Sequence, residues 1–321
     1  MGTVASPSKA TPRPTGSAAE DRGGHGPPDL TRLPRRSLFA WSARPAPAGP
    51  PWRLRRRTVV PRGPHNAAAD PHGLSAAVTS PPADRVTILN PGGGVRRSVR
   101  VQGSPHDVRY MPDGRRLWVT VEQGQRIVQL GAARGGIRRS VRVGGRPHDL
   151  AISPDGRRLW ITIDGRRTVE QRDARSGRLI GIRRPGGMPH DLAFRGDDDE
   201  VWLSNWDSGS LTVASSRTGQ PLAQVAAGAE PHHFAFGLGS VWATDNGGGE
   251  LVRIAPGRRR VLSRTRVGRE PHHVTVAGRA VLVAVNGTGR VAVASRRGRV
   301  VDVVRVGGGP HGITAFVAGR P

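Results

Sequence analysis

The chain has 321 residues, enough for one large domain or two small ones, with 45 Gly, 28 Pro, no Cys and a formal charge of +26. The missing cysteines exclude disulfides, zinc–thiolate sites and cysteine nucleophiles, and no run of 18 apolar residues offers a transmembrane segment. A charge of that size points to nucleic acid or an anionic surface. However, Lys9 is the only lysine, Ala, Gly, Pro and Val abound as in a GC-rich genome, and no nucleic-acid-binding motif is present, so nucleic acid is disfavoured as a partner.

Residues 1–70 are rich in Pro, Gly, Ser, Ala and Arg with almost no β-branched runs. Such a segment cannot bury enough apolar surface to offset its ordering entropy and reads as a disordered arm. Within it, Arg35-Arg36-Ser37-Leu38-Phe39 has the look of a twin-arginine export signal. Ala40–Pro51 carries Pro and Arg44 where an apolar core should stand, so extracytoplasmic and cytoplasmic locations both stay open.

Residues 71–321 read as one repeat domain. Aligned on Pro-His, the chain gives PHDVRYMPDGRRLWVTV from Pro105, PHDLAISPDGRRLWITI from Pro147, PHDLAFRGDDDEVWLSN from Pro189, PHHFAFGLGSVWATD from Pro231 and PHHVTVAGRAVLVAV from Pro271, then a partial copy, PHGITAF, from Pro310. The intervals are 42, 42, 42, 40 and 39 residues. Short alternating strands with turn signals at that period mark the blades of a β-propeller, four strands each. In the Pro147 copy they are His148–Ser153, Arg158–Ile163, Thr168–Arg172 and Arg178–Arg183, separated by Pro-Asp-Gly, Asp-Gly and Arg-Ser-Gly turns. Upstream, LSAAVTS, DRVTILN and VRRSVRV supply three strands without a convincing first one, and Pro310–Val317 is an orphan first strand. Joining the two ends predicts a composite blade, and with it an all-β, six-bladed propeller, expected to be monomeric, with no open edge.

The run PHDLAISPDGRRLWIT resembles the repeat of the YVTN-family β-propellers over residues 73–318. The family tetrapeptide varies here to Trp118-Val119-Thr120-Val121, Trp160-Ile161-Thr162-Ile163, Trp202-Leu203-Ser204-Asn205 and Trp242-Ala243-Thr244-Asp245. The resemblance implies a propeller often found at or beyond the cell envelope and implies little about chemistry.

Inner strands of a propeller line its channel, so the Pro-His steps are expected to gather His106, His148, His190, His232, His272 and His311 at one mouth, as candidate ligands for a divalent metal (Zn, Mg or Ca). The next residues are Asp107, Asp149 and Asp191, then His233 and His273, then Gly312. Strand alternation sends neighbours to opposite faces, so one of the two series should face the channel and the other pack against the blade. The second-to-third-strand loops share the mouth and bring Trp206, Asp207 and Asp245, candidates for contacting a small ligand or protein. Glu230 and Glu270 precede the two His-His steps and, with His233 and His273, are the candidate acid–base groups. The Arg-rich turns fall on the opposite face.

Three functions compete: a binding or scaffold propeller with a metal or small ligand at its mouth, a metal-dependent lyase or lactonase using the same mouth, and an arginine face that engages an anionic polymer or surface. Opposed to the first two is a bland reading, in which each His and Asp only orders its loop. The histidine ring is also similar to that of peptide-amidating lyases, whose channel histidines hold zinc, and the Pro-His repeats to streptogramin lyases. The Trp series is expected to pack blade on blade.

Overall fold

A computed structural model describes residues 52–196 and 199–315. Six sheets, each of four antiparallel strands in sequence order, surround a central axis, and the inner strands of successive blades lie against one another. The expected export signal, most of the arm, and Asp197 and Asp198 lie outside the described residues. Among those described, no helix is long and apolar enough to cross a membrane.

The first blade is built differently from the expected composite. Its strands are Ala67–Ala69, Ala76–Ser80, Arg85–Leu89 and Val95–Arg100, all from the N-terminal side. Asp70-Pro71-His72-Gly73 is the turn after its short inner strand, closed by Gly73 N–H donating to Asp70 O at 2.9 Å. It corresponds to the turns at Met111–Gly114 and Ser153–Gly156, where the glycine N–H donates to Met111 O and Ser153 O in the same way. The packed chain also begins ahead of residue 71: Val60 joins Val78 and Leu89 in a small buried cluster.

The C-terminal residues 310–315 form no strand. They lie along the first inner strand, with Gly312 N–H donating to His65 O at 2.8 Å and Ala69 N–H to Thr314 Oγ1 at 3.2 Å. Ile313 and Ala315, together with Trp52 and Leu54, pack on the Ala277, Ala280 and Leu282 surface of blade 6. Among the described residues the ring is thus closed by a wedge of residues 52–54 and 310–315, with no shared strand ladder.

Large apolar side chains pack between the blades. Trp118, Trp160, Trp202 and Trp242 are fully buried, and each packs on the following blade: Trp118 on Leu150 and Ile161, Trp160 on Leu192 and Leu203, Trp202 on Phe234 and Ala243, Trp242 on Val274 and Val283. Trp118 also donates to Ala174 O of the next blade at 2.7 Å. Blade 6 has Leu282 in that place because its neighbour is the wedge of chain ends.

Candidate metal centre

A one-residue bulge recurs at every Pro-His step of blades 2–6. In blade 2, Pro105 pairs with Val121 and Val108 with Val119, three residues opposite two; blades 3, 4, 5 and 6 repeat the slip. A bulge re-aims side chains that strict alternation would send apart. Both residues of each step therefore stand in the channel. His272 Nδ1 lies 3.1 Å from His273 Nδ1, which neighbours on opposite faces cannot achieve. The choice between the two series, which alternation demanded, does not arise.

The bulge leaves a backbone amide without its ladder partner, and a side-chain hydroxyl supplies one. Asp107 N–H donates to Thr120 Oγ1 at 2.8 Å, Asp149 N–H to Thr162 Oγ1 at 2.9 Å, Asp191 N–H to Ser204 Oγ at 3.0 Å and His233 N–H to Thr244 Oγ1 at 3.1 Å. Each hydroxyl then donates to the histidine carbonyl of the next blade: Thr120 to His148 O, Thr162 to His190 O, Ser204 to His232 O and Thr244 to His272 O. Thr79 does the same from blade 1, between Asn66 N–H and His106 O. The channel histidines are thus fixed through their backbone, and their rings are left free for other partners.

The upper tier is a closed ring of seven imidazoles, one more than the Pro-His series predicted. From His65 through His106, His148, His190, His232, His272 and His311 back to His65, ring centroids are 4.2, 4.0, 4.4, 4.0, 4.0, 3.5 and 3.6 Å apart. The extra member is His65, from a Pro-His step 41 residues ahead of Pro105, and the overlap of the chain ends places it beside His311. The signal was in the repeat spacing, hidden by a following strand of three alanines.

The lower tier holds Asn66, Asp107, Asp149, Asp191, His233 and His273. Gly312 takes the last place, where a Cβ would fall 2.5 Å from His65 O. The three aspartates, equivalent in sequence, have different surroundings. Asp107 accepts from Asn66 Nδ2 at 3.1 Å, from Arg109 Nη1 at 2.8 Å and from Leu150 N–H of the next blade at 3.1 Å. Asp191 accepts from Phe234 N–H of the next blade at 3.2 Å, and its Oδ1 makes no hydrogen bond. Asp149 is fully buried, and neither of its oxygens makes a hydrogen bond. Imidazoles face it instead: Oδ1 lies 3.6 Å from His106 Nδ1 and 3.5 Å from His148 Nδ1, and Oδ2 lies 3.7 Å from His190 Nδ1 and 3.9 Å from His233 Nδ1. His233 Nδ1 is also 3.3 Å from Asp191 Oδ2.

The electrostatics separate these groups. Burial raises the Asp191 carboxyl well above the usual range, helped by the Asp149 charge; burial also raises Asp107, opposed by Arg109. Burial works against charge on Asp149 too, but the imidazoles of His148, His106 and His190 hold it well below the ordinary value. Its partner His148 is lifted to about 9, the Asp149 charge outweighing burial. Burial drives His65, His190, His232, His233, His272 and His311 well below their ordinary value and His273 down to about 3. The centre is a buried pair of an Asp149 carboxylate and a His148 imidazolium, set among imidazoles that burial holds neutral.

The remaining candidates sit apart. Glu230 and Glu270 lie over Gly247 and Gly287 of the mouth loops, and their carbonyls accept from Asn246 and Asn286 N–H at 2.9 Å. Neither belongs to a ligand cluster among the described residues. Asp245 Oδ1 accepts from Ala229, Glu230 and Gly248 N–H at 3.0, 2.9 and 3.1 Å, a loop cap. Asp207 accepts from Met188 N–H and pairs with Arg167. Trp206 is half-buried with its ring 6.5 Å from that of His190. On the other side of the lower tier, a cavity of about 250 Å³ reaches Asp191, His233 and His273 past Arg109, Tyr110, Phe234 and Thr314.

Two donors at about 2.1 Å on a tetrahedral ion lie about 3.4 Å apart. The 3.5–3.9 Å separations around Asp149 and the 3.3 Å between His233 and Asp191 are close to that value, whereas a hydrogen bond would be shorter. Four groups bring three such donors together: His106, His148 and Asp149; Asp149, Asp191 and His233; His190, His232 and His233; and His233, His272 and His273.

No protein-family model matches the chain, and no curated protein matches it. Among solved structures 1611 chains match, so the likeness does not discriminate between functions. One of them, Kuenenia stuttgartiensis hydrazine synthase, is 15% identical with a TM-score of 0.71, over 80% of this chain and 90% of that one. At that identity the likeness concerns the propeller fold alone.

Proposed function

We propose that this protein is a metal-binding propeller of the YVTN repeat type whose channel holds a divalent transition-metal centre. The Asp149 carboxylate carries the reading. It is fully buried, has no hydrogen bond to either oxygen, and meets imidazole nitrogens at 3.5–3.9 Å, near the separations of ligands on one ion. A buried carboxylate without hydrogen bonds is costly, and a bound cation offsets that cost in place of the proton that His148 carries in the metal-free chain. The nitrogen-rich set suits zinc, copper, nickel or ferrous iron rather than magnesium or calcium, which seek oxygen ligands. The YVTN assignment rests on the repeat run quoted above.

The test is metal analysis and calorimetric titration of the full chain after chelator treatment. Zinc or cobalt(II) should bind with a dissociation constant below about a micromolar, and Asp149→Asn and His233→Gln should each weaken binding at least tenfold. At a hundredfold excess over the dissociation constant, metal should add about 2.7 kcal/mol of stability. Retention of no divalent ion, with no heat on titration, would overturn the reading.

The cavity favours one second reading, a metal-dependent lyase or lactonase. It gives a small molecule access to Asp191, His233 and His273 from the face opposite the histidine ring. On that reading His233 and His273 are nearest the substrate, and Arg109 is the cation that would orient an anionic one.

A further inference from the structure

The two oxygens of Asp149 point to different ligand groups, and from this we propose that the channel holds two metal ions bridged by that carboxylate. The inference rests on the metal-binding reading above. Oδ1 is the oxygen nearest His106 and His148. Oδ2 is the oxygen nearest His190 and His233, and His233 is in turn 3.3 Å from Asp191 Oδ2. The ligand groups His106–His148–Asp149 and Asp149–Asp191–His233 share Asp149 alone. Each offers three donors, so one ion beside each oxygen has an open position or two for water or substrate. A carboxylate that gives one oxygen to each ion sets them about 3.5–4 Å apart, the spacing of two-metal sites.

The contrast with the neighbouring blades supports the assignment. Asp107 and Asp191 each give an oxygen to the backbone amide of the following blade, so part of their role is to hold the ring together. Asp149 gives neither oxygen to a hydrogen bond, although the same repeat position delivers it. The first ion would take its nitrogens from the upper tier, and the second would sit in the lower tier, where Asp191 and His233 border the cavity. A small ligand entering from that side meets the second ion first. The proposed occupants are two divalent first-row transition ions of the kind imidazole and carboxylate jointly suit.

The experiment is titration of the metal-free full chain with copper(II), followed by electron paramagnetic resonance and by metal content after gel filtration. Two equivalents should remain bound, and the spectrum should pass from an isolated copper signal at one equivalent to a coupled one, with loss of intensity and a half-field transition, at two. Asp149→Asn should abolish the coupling, because an amide cannot bridge as a carboxylate does. Asp191→Asn should bring the stoichiometry to one while the His106–His148 ion stays. Two outcomes overturn the bridge and leave the metal-binding reading intact: saturation of the wild-type chain at one equivalent, or two bound ions with no coupling. Absence of any bound metal overturns both. The wild-type spectra decide the matter even if a variant fails to fold.

Discussion

Thr162→Val removes one hydroxyl and nothing else of comparable size, and it tests whether the bulge that builds the site is held as described. Thr162 is fully buried. Its Oγ1 accepts from Asp149 N–H at 2.9 Å and donates to His190 O at 2.9 Å. Valine keeps the shape and leaves both backbone groups buried without a partner. Each orphan costs about 1–3 kcal/mol, so the pair should cost about 2–6 kcal/mol. For a domain of this size that is a fall in Tm of roughly 5–10 °C, to be read by tryptophan fluorescence on the metal-free chain. Thr162→Ser keeps the hydroxyl and should recover most of the loss. Because the same hydroxyl positions Asp149 and His190, the valine variant should also bind zinc more weakly. A valine variant that melts within about a degree of wild type and binds zinc unchanged would refute the hydroxyl relay as the clamp of the bulge.

Acidification should destabilise the metal-free protein. Seven imidazoles (His65, His190, His232, His233, His272, His273 and His311) are held below the ordinary value by burial, so below pH about 6.5 the unfolded chain takes up protons that the folded one refuses. Each then costs up to about 1.4 kcal/mol per pH unit. His148, raised to about 9, gains its stabilisation above that window, between pH about 9 and 6.5, whereas the raised Asp107 and Asp191 act in the opposite sense, two groups against seven. Tm measured without metal should fall from pH 6.5 to 5, and a flat or rising profile would contradict the burial of neutral imidazoles. At the closure, Gly312→Ala places a Cβ 2.5 Å from His65 O and 2.8 Å from Asn66 Cα, backbone atoms that must move. A loss of about 1–3 kcal/mol with faster proteolysis of the chain ends should follow, and a variant as resistant as wild type would show that the wedge does not close the ring.

Much of the architecture was legible because a propeller blade is a local object. The Pro-Asp-Gly turns, the short alternating strands and the buried Trp recur at fixed offsets, and repetition converts weak local signals into a blade count. The first blade broke the pattern for a physical reason. Ala67–Ala69 has neither β-branched nor aromatic residues to mark a strand, and its turn, Asp70-Pro71-His72-Gly73, places a second Pro-His where none belongs. By composition Pro64-His65 therefore falls within the arm, the spacing points to a shared strand at the closure, and the seventh imidazole stays hidden.

The centre was harder to read because it depends on a departure from regular geometry. Strand alternation permits only one residue of each His-Asp or His-His step to enter the channel; the bulge admits both, and only then do imidazoles and carboxylates meet. The hydroxyl that compensates the bulge was present in the sequence at a constant offset, two residues after each Trp: Thr120, Thr162, Ser204 and Thr244. In the sequence it blends into the variation of the tetrapeptide, although a hydroxyl kept through four otherwise varied strands has a partner to satisfy. Blade 6 keeps the bulge without the hydroxyl, and there the link to a following blade falls away. Ala284 stands at the position where the others carry a hydroxyl, and the next Pro-His step belongs to the C-terminal segment, which Gly312 N–H and Thr314 anchor to blade 1 instead. What no periodic reading supplies is the difference between Asp149 and its two equivalents. Asp107 and Asp191 spend an oxygen on the next blade's amide, whereas Asp149 turns both toward imidazoles. Repetition delivers the carboxylate to the channel, and the non-equivalence of its surroundings, with His233 across the same tier in place of another Asp, distinguishes one of three similar residues.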